Sequence, residues 1–334
     1  MKLADLAEAL ELELRGDPDH TVLQLASIAS ATVNDLSFVV SPRYRDQLLA
    51  SKAGAVIVPS KMAELATGNV LISSNPYASY AKASWLLTPE ILPSAGVAES
   101  ATVAATASIS SSASIGEHCV IGANVSIGDG VVVGEHCVLG DGVQLGAGTR
   151  LFPRVTIYHE CQLGQQCRVQ SGAVIGAEGF GFAFDNGWQA IAQTGRVLIG
   201  NKVHIGANST IDRGAIDDTV IADGVILDNQ IQIAHNVRIG ENTAIAGCVG
   251  IAGSTTIGAN CQIGGACNIV GHLMITDGVV LNATSYVSQS ITKPGRYGSG
   301  MPLQTSSEWK RSFVILSKLN ELLGRVRQLE RHVD

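Results

Sequence analysis

An aliphatic side chain returns every sixth residue through most of this chain. From Val97 the series runs Val103, Ile109, Ile115, Ile121, Ile127, Val133, Leu139, Leu145, Leu151, Ile157, Leu163, Val169 and Ile175. It breaks over Ala177–Leu198 and returns at Ile199, Ile205 and Ile211. After a short insertion around Asp217–Val220 it runs again from Ile221 to Val287. The residue after each aliphatic is most often Gly or Ala, and the fifth hexad position is usually Ala, Val, Cys or Thr. This period predicts a parallel β-helix, in which each hexad supplies a short strand and a tight corner eased by a small residue. Three hexads close one triangular coil of about 18 residues. The aliphatic residues then point inward and stack on their equivalents at ~4.8 Å. A disordered low-complexity segment would not hold this phase so long.

Two flanking regions lack the hexad. Residues 1–95 read as an α/β domain. Met1–Arg15 carries Leu3, Leu6, Ala7, Leu10 and Leu14 on one helical face. Strand-like runs at Leu36–Val40, Ala55–Val58 and Val70–Ile72 alternate with helical stretches near Tyr44–Lys52 and Pro76–Leu87. Pro89, Pro93 and Gly96 mark the passage into the coil, taken as 96–304. Residues 305–334 form a helical extension, opened by Thr305 and Glu308 at capping-box spacing. Its stripe of Trp309, Phe313, Leu316, Leu319, Leu323 and Val326 is expected to pack on the coil or a partner subunit. Lys310, Arg311, Lys318, Arg325, Arg327 and Arg331 make its other face basic, open to an acidic partner or to solvent.

Composition narrows the function classes. Aromatics are 4% of the chain against 37 glycines, which suits a core of small aliphatic side chains. A net charge of −7 argues against a general nucleic-acid binder. No stretch has the length of a membrane span, and the amino terminus lacks a signal-like apolar run, so a cytoplasmic protein is expected. Six of the seven cysteines, Cys119, Cys137, Cys161, Cys167, Cys261 and Cys267, share the fifth hexad position and are expected to be core packers rather than metal ligands.

Departures from the repeat carry the candidate chemistry. His235 takes the third position of its hexad, near a corner and facing outward. His272 follows 37 residues later, two coils plus one residue, on the same edge and roughly 10 Å away along the axis. An outward imidazole titrating near neutrality can take a proton from an attacking amine. A hydrogen-bonded surface histidine is the competing reading. His118 and His136, each within Gly-Glu-His-Cys-Val, illustrate that alternative as a stacked repeat feature.

The phrases Thr210-Ile211-Asp212-Arg213-Gly214-Ala215, Asp228-Asn229-Gln230, Gln232-Ile233-Ala234-His235-Asn236 and Ile291-Thr292-Lys293-Pro294-Gly295 resemble the UDP-3-O-acylglucosamine N-acyltransferases of lipid A biosynthesis. The order of parts also resembles that family, across essentially the whole chain. The resemblance implies a left-handed coil and a homotrimer with active sites in the grooves between subunits. It implies transfer of a 3-hydroxyacyl chain from acyl carrier protein, through its phosphopantetheine arm, to the 2-amino group of a UDP-sugar. No separate cofactor or metal is implied. His235 matches the general base and His272 a second active-site histidine. Asp228 is expected to set the charge and orientation of His235, and backbone N–H groups near Gly253 to face the oxyanion. Phe38, Ser41 and Tyr44 are expected at the uridine; the family pattern has Asn where this chain has Ser41, which bears on one base-edge hydrogen bond. Gln232 and Asn236 are expected to bind substrate, and Tyr286 to limit acyl length at the groove's end. Glu178-Gly179-Phe180-Gly181-Phe182 is similar to a family insertion that reaches across a subunit groove. Localisation is then cytoplasmic, with peripheral contact to the inner membrane as an option.

Three other readings share the scaffold. A UDP-N-acetylglucosamine O-acyltransferase lacks a uridine domain like residues 1–95. A γ-class carbonic anhydrase needs a close pair of zinc histidines, but Gly240 and Asp277 stand five residues after His235 and His272. A non-catalytic β-helix scaffold explains the hexads but not Asp228, His235 and His272 beside a nucleotide-like domain.

Overall fold

A computed structural model describes residues 1–300 and 302–331. The chain divides into two compact units, Met1–Leu92 and Pro93–Asp334. The last three residues of the expected helical extension, and position 301 of the coil, lie outside the described residues.

The first unit has a five-stranded sheet of β1 (Glu13–Arg15), β2 (Gln24–Leu25), β3 (Asp35–Phe38), β4 (Ala55–Val58) and β5 (Asn69–Ile72), in the order β1-β5-β4-β3-β2. Only the β1–β5 pairing is antiparallel. Helices α1 (Leu3–Leu10), α2 (Arg45–Ala50) and α3 (Pro76–Leu87) accompany it. Leu3, Leu6 and Leu10 are buried with Leu36, Ile57 and Leu71 in one cluster. The amphipathic helix expected to reach Arg15 stops at Leu10. Glu11 turns left-handed at φ 54°, and Leu12 and Leu14 then alternate with polar neighbours, which is the period of a strand.

The second unit is a parallel β-helix. Its strands are two to four residues long and fall on three faces, with 11, 10 and 9 strands among the described residues. Face I begins at Gly96–Val97, face II at Thr102–Val103 and face III at Ser108–Ile109. Each strand pairs in register with the one a coil away, as in Val120↔Val138 and Ile121↔Leu139. The aliphatic member of each pair is inward and the other outward. Ile121, Leu139, Ile157, Ile175, Ile211, Ile233, Ile251 and Ile269 form one such buried column. All six fifth-position cysteines are completely buried, as expected of core packers. Cys248, at a corner, is exposed.

From His118 to Thr284 the regular corners use the left-handed region once per hexad, as at Asn124, His136, Asn208, Asn236 and Asn260. Gly and Asn are the commonest residues there because they enter that region most cheaply. His118 and His136 occupy it at adjacent levels, and their rings stack at 5.0 Å.

Two excursions interrupt the coil, and both leave between faces II and III. The first runs from Val174–Ala177 to Val197–Ile199 and carries an antiparallel hairpin, Phe182–Phe184 with Trp188–Ala190. The second, four residues long in net terms, lies between Thr210–Asp212 and Thr219–Ile221, so that Ile199 pairs with Ile221. The coil closes with Gly295–Tyr297 pairing to Val279–Leu281.

The carboxy-terminal segment is two helices, α4 (Ser306–Ser317) and α5 (Leu319–Glu330), rather than one. The Thr305/Glu308 capping box forms in both directions. The break falls at Lys318, whose N–H reaches back three residues to Ile315 O while the Ser317 hydroxyl binds Val314 O. The stripe from Trp309 to Val326 is exposed along its length, so within the chain it does not pack on the coil. No helix of the described residues is long and apolar enough to cross a membrane.

Candidate active site

His235 follows the face II strand Gln232–Ile233 and stands at the corner between faces II and III. Both excursions leave from this same corner on the two coils before it. The coil below brings Gly253, and the next brings Gly271: Ser254 N–H donates to His235 O, and His272 N–H to Gly253 O, at 2.9 and 3.0 Å. His235 and His272 thus lie on one edge with a single coil between them. The His272 side chain is exposed and makes no hydrogen bond among the described residues.

The His235 imidazole is half-buried between two glycines. A Cβ added to Gly253 would come within 2.6 Å of both Cε1 and Nε2. One added to Gly179, in the first excursion, would meet the His235 Cβ at 3.0 Å. These are the places where a missing side chain makes room for the ring. Gly253 N–H has no acceptor among the described residues, which leaves it open to an oxygen bound beside the ring.

The excursion is tied down at its base by Arg213, which is 1% exposed. Arg213 N–H donates to Ala177 O at the start of the excursion, and Nε donates to Gly195 O near its end. The guanidinium also meets the imidazole of His159. A second tie is the pairing of Arg196 with Asp218, where Nη2 donates to Oδ2 at 2.9 Å and the backbone N–H to Oδ1 at 2.8 Å. That guanidinium holds the Asp218 carboxyl below the usual carboxylate range.

Within the chain, the carboxyl that feels the charge of His235 is that of Asp212. Asp212 is in line with Ala234 on the preceding coil, because Ile211 pairs with Ile233. Burial raises the Asp212 carboxyl above its ordinary range, opposed by a hydrogen bond from Gln232 Nε2 and by the charge of His235. Asp228 follows the face I strand Ile226–Leu227 and so stands one corner earlier in the coil. Its two oxygens accept from Asn229 N–H at 2.8 Å and Gly247 N–H at 3.0 Å. Within the chain Asp228 clamps two coils together and does not orient His235.

The expected substrate contacts divide. Asn236 is not free to bind substrate: its Oδ1 accepts from Ala215 N–H and meets His235 Nδ1, both at 3.0 Å, while Nδ2 donates to Asp217 O. The Gln232 amide is engaged with Asp212 and with the Thr210 hydroxyl. It still forms part of a groove on face II of about 450 Å³, beside Ala234, Gly250, Ala252, Asn268, Val270, Gly271 and Tyr286. Tyr286 is exposed and stands at the far end of that column, two coils past Gly250. In the first unit, the Phe38 ring packs at a tilt against Tyr80 at 4.2 Å and Tyr77 at 5.5 Å. Tyr44 lies under the Arg43 guanidinium, and Ser41 precedes the short turn Pro42–Tyr44 with its hydroxyl outside any cap. No group of three or more His, Cys, Asp or Glu among the described residues is arranged to hold a metal.

Sequence reasoning singled out His235 and His272 and missed Asp212. The signal was the offset of 22 residues between Asp212 and Ala234, which becomes visible only when the second excursion is counted as four residues outside the coil.

Comparison with known proteins agrees along the whole chain. The family model for UDP-3-O-(3-hydroxymyristoyl) glucosamine N-acyltransferase, LpxD, matches residues 19–86, and that for the GMPPB C-terminal domain matches residues 97–179. A UDP-3-O-acylglucosamine N-acyltransferase of Pseudomonas fluorescens (strain SBW25) is 46% identical over 334 residues, covering 100% of this chain and 95% of the relative. Relatives of the same description from Pseudomonas aeruginosa (strain UCBPP-PA14) and Coxiella burnetii (strain Dugway 5J108-111) are 47% and 44% identical. They cover 99% and 98% of this chain, and 94% and 97% of their own length. The solved Arabidopsis UDP-N-acetylglucosamine acyltransferase aligns with a TM-score of 0.56 at 23% identity, covering 61% of this chain and 71% of that one, which shows the shared fold of the coil. At this identity and coverage, the chain belongs to the UDP-3-O-acylglucosamine N-acyltransferase family and is an acyltransferase.

Proposed function

We propose that this enzyme moves a 3-hydroxyacyl chain from the thioester of acyl carrier protein to the 2-amino group of a UDP-3-O-acylglucosamine, as a step of lipid A biosynthesis. His235 takes a proton from the amine as the nitrogen attacks the thioester carbonyl. The C–N bond forms, the C–S bond breaks, and the thiolate leaves on the carrier's phosphopantetheine arm, taking back from His235 the proton it received. Gly253 N–H faces the oxyanion, and the exposed His272 meets the arm or the same developing charge. The enzyme works as a cytoplasmic homotrimer, with uridine held by the first unit and the acidic carrier received by the basic face of α4 and α5.

One observation carries this reading. A half-buried imidazole stands between Gly179 and Gly253, one residue beyond Ala234, which lines a groove with Gly250, Ala252 and Gly271 whose small size leaves room for an aliphatic chain. The test compares acyl transfer by wild type and by a folded, trimeric His235→Ala. Amide formation by the wild type, lowered ~10²–10⁴-fold in the variant, supports the base assignment. Equal rates remove His235 from that role, and amide formation by neither protein rejects these substrates.

A further inference from the structure

Asn236 occupies the left-handed corner immediately after His235, with φ +59°. Two backbone groups of the second excursion hold its carboxamide. Ala215 N–H donates to Oδ1 at 3.0 Å, and Nδ2 donates to Asp217 O at 2.6 Å. Turning the amide over would set N–H against N–H and oxygen against oxygen, so these two groups decide which end is the oxygen. That oxygen lies 3.0 Å from His235 Nδ1. An amide oxygen can only accept, so the hydrogen between them belongs to the imidazole.

We propose that Asn236 is the positioning residue that holds neutral His235 as its Nδ1–H tautomer, leaving the Nε2 lone pair directed to the Gly253 side to receive the substrate's proton. The inference rests on the reading of His235 as base and adds the device that selects its reactive nitrogen. The excursion is firm enough for this. Thr194 N–H donates to Ala215 O, Gly195 N–H to Gly214 O, and Arg196 binds Asp218 through side chain and backbone. Asn236 N–H is itself held by the Thr219 hydroxyl at 2.8 Å. When His235 takes up a proton the Nδ1–H bond to Asn236 persists, so the amide serves both states. Asp212, on the preceding coil, is the carboxyl whose ionisation the charge of His235 favours. Gly179 and Gly253, which pack on the ring from the other two elements, add no titratable side chain.

The test uses the full-length protein labelled with ¹⁵N-histidine, His235 being assigned by the signals lost in His235→Ala. At a pH where His235 is neutral, the expected spectrum has Nδ1 protonated and Nε2 bare. Asn236→Gly accepts the left-handed backbone and removes only the side chain. It should release the tautomer and lower kcat ~10–100-fold, a fraction of the full general-base contribution, while KM for the UDP-sugar changes little. Asn236→Asp keeps an acceptor at Nδ1. Its second oxygen then meets Asp217 O, so it should recover only part of the kcat lost in Asn236→Gly, and it should move the acid limb of the kcat/KM profile to higher pH, the added negative charge favouring protonated His235. Hydrogen on Nε2 in the wild type overturns the proposal, as does an Asn236→Gly enzyme with unchanged kcat, or equal losses in both variants with the tautomer intact. If His235→Ala stays active the base reading fails by itself, while the ¹⁵N spectrum still decides whether Asn236 sets the tautomer.

Discussion

Replacing Gly253 by alanine tests the site's geometry with a single methyl group. The backbone of Gly253 is not in the left-handed region, so alanine adopts it without strain. The new Cβ would lie 2.6 Å from His235 Cε1 and Nε2, where ordinary van der Waals contact needs at least 3.4 Å. The ring must therefore withdraw by about 0.8 Å, and the withdrawal falls on the edge that carries Nε2. A displacement near 1 Å of a reacting group costs about 10²-fold in rate. The expected loss in kcat for Gly253→Ala is thus ~10–100-fold, or about 1.4–2.7 kcal/mol of barrier. Melting temperature should hardly change, because the half-buried ring can swing aside. The assay is steady-state acyl transfer at saturating UDP-sugar, paired with thermal melting of the same preparation. A variant that keeps kcat within twofold would show that Nε2 is not the atom that works, and the reasoning would fall.

Three further outcomes are expected. Asp212→Asn should stabilise the protein at neutral pH while lowering activity. The folded carboxyl titrates above its unfolded value through burial, so its contribution is intact below pH ~4 and is lost as pH rises through the folded value. The advantage of the amide variant should accordingly be absent in acid, grow with pH and then level, as melting temperatures across pH would show. Arg213→Met should cost ~1–3 kcal/mol in denaturant unfolding by leaving Gly195 O without its donor, and should lower kcat by loosening the excursion that carries Gly179. Tyr286→Ala, at the end of the face II groove, should move the preference toward longer acyl chains; an unchanged preference in competition between carrier-bound chains would remove Tyr286 as the limit.

The coil was legible because its period is enforced by burial: a residue such as Ile233 cannot leave phase without exposing an aliphatic side chain and burying a polar one. The same arithmetic put His235 and His272 on one edge, and the capping box at Thr305 and Glu308 was readable from spacing alone. What stayed hidden depends on contacts between coils. Asp228 and Asp212 both look like outward carboxylates near a histidine, and only the strand register separates the corner of one from the corner of the other. Asn236 read as a substrate ligand because nothing in the sequence says that Ala215 N–H and Asp217 O use up its amide. In the first unit the alternation at Leu12 and Leu14 was absorbed into a helical face, since three residues carry too little pattern to announce an edge strand. The break at Lys318 was hidden for a similar reason: the apolar stripe passes through it without interruption.

Gln162 and Leu163 pair directly with Leu198 and Ile199, as if the chain between the two levels had never left the wall. To the coil, the hairpin is an interlude of one extra turn's worth of chain, and the four-residue excursion on the next level is a shorter one. Such detours are the natural raw material for divergence on this scaffold. They can lengthen, shrink or change sequence without asking any buried isoleucine to move, while the strand after each detour resumes its old partner. New chemistry can therefore be acquired one corner at a time, with foldability inherited unchanged from the levels above and below.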